Sequence, residues 1–301
     1  MKIAGRWFPI ALRGRTMGVL GTSLTLGSAL AIFLVGGLLS VTGNVWRVAF
    51  VVPPALLLAS CLHTSLRLQE HPPADEPRDV SPALRDASDR LPISQALAAT
   101  LGNPRIWVLA LGLFGVDAVR YGFLDWAPGH LAEAHGSTAA SAALKTAVFP
   151  LAGALGALSS GWMTDRFFES RRAPVCAMML VAVALLTLAY RAVVSLGTGP
   201  TVLCLGLTGY FLYGAQILLV GTAAQDYARR GAMAAAAGFV DFAGHVGAFS
   251  GDVVTALMLR RHGWGGAIAW WACAAFGAAA LVAMLWRVRP NDDRGRVVSI
   301  P

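Results

Sequence analysis

The sequence predicts an all-α integral membrane protein with eight transmembrane helices, and three observations carry that prediction. Of the 301 residues, 56% are hydrophobic and 13% charged, with a mean hydropathy of +0.61. A soluble domain is far less apolar and carries about twice the charge. Apolar stretches long enough to cross about 30 Å of hydrocarbon recur at residues 16–41, 46–66, 105–127, 138–162, 173–190, 200–222, 232–258 and 265–286. The basic residues between them alternate in density. Eighteen of the 24 Lys and Arg fall on the N-terminal side of the predicted bilayer, against four (Arg47, Arg191, Arg260 and Arg261) on the other, with Arg120 and Lys145 inside spans. By the positive-inside rule both termini are expected to be cytoplasmic, in an inner or plasma membrane.

The N-terminus is basic (Lys2, Arg6, Arg13, Arg15), and the apolar run behind it continues to Val41. That exceeds the roughly 7–15 residues of a signal-peptide core, so it is read as a retained helix. Its Gly21-Thr-Ser-Leu-Thr-Leu-Gly27 and Gly36-Gly37 lack the Lys-Ser/Thr of a phosphate loop and are assigned to close helix packing. Pro53-Pro54 is expected to kink the second span. Residues 68–103 then change character, with Pro72-Pro73, Pro77, Pro82, Pro92 and the densest acidic cluster (Glu70, Asp75, Glu76, Asp79, Asp86, Asp89). This reads as a polar cytoplasmic linker, part of it disordered. The chain therefore divides into 1–67 with two helices, the linker 68–103, six helices over 104–288 and a cytoplasmic tail 289–301.

Several function classes are excluded or disfavoured by the same pattern. The net charge of +8 lies in short loops between apolar runs rather than on one basic face, so it signals topology and not a nucleic-acid partner. Cys61, Cys176, Cys204 and Cys273 sit in four different apolar runs without a CxxC pair, so no disulfide framework, metal site or cofactor is implied. His130, Glu133 and His135 are read as a solvated outward loop, since their spacing fits no established metal site. No nucleophile–base pair stands out, and no catalytic residue is assigned.

The charged residues inside spans point to function. A guanidinium in a bilayer keeps its proton and must face protein, water or an anion, so Arg120 marks a substrate path. Asp117 and Arg120 are i and i+3, share a helical face and can pair. Asp241, His245 and Asp252 are spaced by 4 and 7, which also sets them on one face. Two readings of that stripe stand side by side, a proton or cation relay and an interhelical hydrogen-bond set. Lys145 is a candidate counter-charge.

The spans also repeat weakly. Arg13-Gly14 precedes a Gly-rich span and Trp46 follows Arg13 by 33 residues; Arg230-Gly231 does the same, with Trp264 34 residues after Arg230. The first two helices thus resemble the last two, as if they closed an earlier copy of a six-helix unit. Arg120-Tyr-Gly-Phe-Leu-Asp-Trp-Ala-Pro128 resembles the helix-seven signature of the organophosphate:phosphate antiporter family, within the major facilitator superfamily, which includes glycerol-3-phosphate and hexose-phosphate carriers. Further similarity lies in Arg6-Trp-Phe-Pro9, Arg13-Gly-Arg-Thr-Met-Gly18, Gly161-Trp-Met-Thr-Asp-Arg166 with Arg171-Arg172, Gly209-Tyr-Phe-Leu-Tyr-Gly214, Ala236-Ala-Gly-Phe239 and Gly263-Trp-Gly-Gly266.

The resemblance implies a major facilitator fold with two helices of the N-terminal lobe, a complete six-helix C-terminal lobe and the first four helices lacking. It implies alternating access, with a phosphate held between one arginine from each lobe. Arg120 corresponds to the C-lobe arginine, and its partner belongs to helix one, so a missing N-terminal half or partner fragment is expected to supply it. Tyr121, Tyr213 and Asp125 match positions near the site or its ion pairs. Asp165, Arg166, Arg171 and Arg172 match the cytoplasmic charge cluster that latches neighbouring helices. Three positions depart from the family pattern: Leu24 stands for the helix-five histidine of glycerol-3-phosphate carriers, Asp117 for a tyrosine one turn before the clamp arginine, and Pro150 for a helix-eight acid. The expected function is transport of a small anionic metabolite, an organic or sugar phosphate exchanged for inorganic phosphate. The alternatives are a sugar-phosphate sensor of the same fold, a proton-coupled carrier of another organic anion, and a non-transporting fragment.

Overall fold

The computed structural model describes residues 10–43, 45–68, 91–168, 171–228 and 231–288, and every regular element among them is helical. The chain separates into two compact units, residues 1–89 and 90–301.

The first unit holds α1 (Ile10–Val41) and α2 (Trp46–Arg67), which pack on one another across a turn that Gly43 makes at φ 64°. Pro53 and Pro54 lie within α2, which remains one continuous helix, and none of its side chains is buried.

The second unit begins with α3 (Ile93–Leu101), so the end of the expected linker is helical. Ala96 and Thr100, one turn apart, supply its buried face, and the Trp107 indole donates to the Leu101 carbonyl at 2.8 Å. The acidic, proline-rich segment 69–90 and the tail 289–301 lie outside the described residues. α4 (Pro104–Tyr121) starts with Asn103 accepting from the Arg105 amide at 3.1 Å and Pro104 at its first position. A π-helical turn, Gly122–Trp126, carries α4 into α5 (Ala127–His135). Pro128 has no N–H to return to the preceding turn, and a widened turn accommodates that loss. The third span therefore extends to His135, and the outward loop expected at His130, Glu133 and His135 is helix. His130 is buried there, 3.2 Å from the Tyr190 hydroxyl, and Glu133 accepts from the Trp264 indole at 2.6 Å.

The fourth span is α6 (Ala139–Thr146) followed by α7 (Val148–Phe167), the fifth α8 (Arg172–Val194), and the sixth α9 (Thr198–Ile217). A second π-helical turn, Leu218–Ala223, leads from α9 into the short α10 (Ala224–Tyr227). α11 (Met233–Ala283) comprises two helical segments. Gly263, at φ 64° and ψ −166°, breaks it into two spans. Among the described residues six helices are long and apolar enough to cross a membrane, with a shorter apolar stretch at Leu26–Val41. The division at Gly263 brings these to the eight spans expected.

Small residues set the packing, as close approach of membrane helices requires. α4 runs along α11, α7 along α9, and α8 packs on both α9 and α11. A side chain at Gly247 would overlap the Phe114 backbone, and one at Gly251 would come within 2.7 Å of Ala118. At the centre Phe123, buried, lies 5.5 Å from Phe149, 5.5 Å from Tyr190 and 4.9 Å from Trp271.

Candidate functional site

The two π-helical turns frame the site. Arg120 stands on the last α-helical turn before the first of them, and Gln216 on the last turn before the second. π-turns shift the side chains that flank them and concentrate at functional positions. Here they leave three polar groups facing one another inside an apolar core. Asp117 is 1% exposed, Arg120 6% and Gln216 7%.

Asp117 and Arg120 pair as their i, i+3 spacing predicts, with Nε 3.1 Å from Oδ1. The Nε–H does not point at that oxygen, so the contact is electrostatic without being a hydrogen bond. Gln216 bridges the two: its Nε2 donates to Asp117 Oδ1 at 3.1 Å, and its Oε1 accepts from Arg120 Nη1 at 3.3 Å. The guanidinium carbon also sits 4.4 Å from the Tyr121 ring centroid and 6.0 Å from that of Tyr213. These distances allow a cation–π contribution. The Tyr213 hydroxyl is buried and has no hydrogen-bond partner among the described residues. Two buried donors, Arg120 Nε–H and Tyr213 O–H, thus stand near one guanidinium without an acceptor, which is costly in a dry interior. Each could donate to an anion's oxygen.

Sequence reasoning brings together Asp117, Arg120, Tyr121 and Tyr213, and it missed Gln216. A lone amide in the apolar run 200–222 was the available signal, because polar side chains in spans face partners. The other candidates separate from this cluster to differing degrees. Asp125, on the π-turn, is exposed, and its carboxyl neighbours that of Asp252. Asp252 also accepts from the Trp126 indole at 3.0 Å. Asp241 and His245 lie together on the exposed side of α11, 3.9 Å apart, and His245 Nδ1 is 2.9 Å from the Asp241 carbonyl. The stripe on α11 therefore divides, Asp252 turning toward Trp126 while the other two stay exposed. Lys145 does not reach any of them; its ammonium donates to Ser137 at 2.7 Å. In the expected latch cluster Arg172 donates to the Thr164 hydroxyl at 2.5 Å and Arg171 to the Phe168 carbonyl at 3.3 Å. Arg166 is exposed, and the Asp165 side chain lies outside the described residues. No group of three or more metal-ligating side chains occurs among the described residues.

The Major Facilitator Superfamily profile matches residues 1–251 and 128–300. The chain belongs to that superfamily. It is 28% identical over 295 residues to the glycerol-3-phosphate transporter of Bacillus subtilis, covering 93% of this chain and 65% of that one. It is 29% identical to the membrane sensor protein UhpC of Salmonella typhimurium, covering 92% and 64%. It is 25% identical to a probable hexose phosphate transport protein of Chlamydia pneumoniae, covering 98% and 68%. These relatives match the organophosphate:phosphate antiporter family that the helix-seven signature indicates. The chain spans about two thirds of their length. A bacterial homolog of the human lysosomal transporter Spinster, in an inward-facing and occupied conformation, shares the major facilitator fold at a TM-score of 0.61 and 16% identity, covering 96% of this chain and 73% of that one. The protein is thus a multi-pass integral membrane protein of this superfamily.

Proposed function

We propose that this major facilitator chain serves the transport of a small phosphorylated anion by alternating access, with Arg120 as its phosphate ligand, Tyr121 and Tyr213 beside it, and no chemical conversion of the cargo. The observation that carries the reading is the buried Arg120 guanidinium 6.0 Å from the centroid of the Tyr213 ring, whose buried hydroxyl has no hydrogen-bond partner among the described residues. A planar guanidinium presents two parallel N–H groups to two phosphate oxygens and keeps its charge at any physiological pH. The relatives named for glycerol 3-phosphate and hexose phosphate support the same class of cargo. We further propose that residues 1–67 form part of an N-terminal lobe and 104–288 a C-terminal lobe, and that both termini face the cytoplasm of an inner or plasma membrane.

The test is Arg120→Lys in a polypeptide carrying both lobes, read as glycerol 3-phosphate binding and as counterflow into proteoliposomes. Lysine keeps the charge and loses the fork. Loss of two charge-assisted hydrogen bonds corresponds to about 2–3 kcal/mol, on the order of a hundredfold in affinity. Unchanged affinity would reduce Arg120 to a structural partner of Asp117. A sensor such as the UhpC relative would bind without counterflow, so the two readouts separate the readings.

A further inference from the structure

We propose that Asp117 is a resident counter-anion of Arg120, held in place by Gln216, and that an incoming anion binds Arg120 together with one proton taken up by the Asp117 carboxyl. This rests on the reading of Arg120 as an anion ligand and adds to it a coupling ion and a positioning residue.

The argument begins with charge. Asp117 and Arg120 form a neutral pair that is almost entirely buried. A phosphate arriving at Arg120 while Asp117 stays ionised would set two anions against one cation in a low-dielectric interior, where like charges repel strongly. The carboxylate is 1% exposed, and both of its oxygens are in contact with protein. Oδ1 accepts from Gln216 Nε2 and faces Arg120 Nε. Oδ2 lies against the backbone of Gly244 on α11, so closely that a Cβ there would come within 2.5 Å of it.

Protonation resolves the conflict in place. One proton moves from solvent to the Asp117 carboxylate, its charge goes from −1 to 0, and Oδ1 still accepts from Gln216. The ion pair with Arg120 is lost. The guanidinium, with the Tyr213 hydroxyl nearby, then turns to the oxygens of the ligand. Beyond Arg120, the titratable groups that act on Asp117 are His245 and Asp241 of α11, both exposed and 3.9 Å from one another. Gln216 matters because it hydrogen-bonds both members of the pair. It keeps Asp117 beside Arg120 when the site is unloaded and keeps it satisfied once protonated.

The experiment uses the full 301-residue chain in lipid nanodiscs, titrated calorimetrically with inorganic phosphate between pH 6 and pH 8. Two buffers of different ionisation enthalpy are used, so that protons taken up per phosphate are counted directly. The same titrations on Asp117→Asn give the contribution of phosphate's own ionisation. Wild type is expected to take up about one more proton per phosphate than Asp117→Asn, and its affinity to fall by about tenfold more per unit rise in pH. Gln216→Leu removes a donor to the carboxylate, so phosphate should bind it several-fold more tightly than wild type at pH 8, with the pH profile moved upward. Because this second variant retains Asp117, it decides the matter if Asp117→Asn does not fold. Equal proton uptake in wild type and Asp117→Asn, or a pH profile that Gln216→Leu leaves unmoved, overturns the proposal while phosphate binding itself stands. Absence of phosphate binding in every variant and in wild type overturns this proposal, while the reading of Arg120 as a ligand is decided separately by Arg120→Lys in the polypeptide carrying both lobes.

Discussion

The Trp271 indole donates to the Thr255 hydroxyl at 2.9 Å, joining the two halves of α11 across their break at Gly263. Both side chains are fully buried, and Thr255 in turn donates to the Gly251 carbonyl at 2.8 Å. The bond ties the last two spans together beside Phe123, whose ring centroid lies 4.9 Å from that of Trp271. Trp271→Phe keeps an aromatic ring but removes the donor. Stability should fall by about 1–2 kcal/mol, read as a lower midpoint in a detergent-monitored unfolding titration. An unchanged midpoint would mean the hairpin is held by its small-residue packing alone.

The same indole limits the π-turn of the third span. A Cβ on Gly122 would lie 2.5 Å from Trp271 Nε1, so Gly122→Ala must displace a fully buried ring. A cost of about 1–3 kcal/mol is expected from overpacking. Trp271→Leu in the same chain should recover part of it, giving a coupling of about 1 kcal/mol or more in a double-mutant cycle. Strict additivity of the two changes would show that the glycine serves the turn's backbone and not the ring.

Tyr213→Phe separates structure from binding. The hydroxyl it removes is buried and has no protein acceptor among the described residues, so its loss should leave stability unchanged or raise it by about 1 kcal/mol. Phosphate affinity should fall about tenfold, the worth of one hydrogen bond to a charged ligand. A destabilised protein with intact phosphate affinity would assign the hydroxyl a structural role.

Topology is tested at the C-terminus. A reporter active only in the periplasm, fused after Pro301, should be silent, whereas one active only in the cytoplasm should work. The expectation follows from eighteen basic residues on one side against four on the other. An active periplasmic reporter would invert all eight spans.

The sequence by itself determined what depends on near neighbours along the chain. Span lengths follow from runs of apolar residues. The gap between the last two spans falls where Gly263 breaks α11, and the Asp117–Arg120 pair follows from i, i+3 spacing on one helix. The membrane makes such features legible because each span must satisfy its own backbone and display its few charges. Only the tertiary structure decided which helices meet. Gln216 reaches Asp117 across 99 positions of sequence, and nothing local distinguishes an amide that bridges an ion pair from one that faces lipid headgroups. Likewise His130 is buried because Tyr190 and Trp264, from two other spans, close around it, and the stripe on α11 divides because Trp126 claims Asp252 alone. A helix's own periodicity tells which residues share a face; which neighbour that face meets is set by packing between spans distant in the chain.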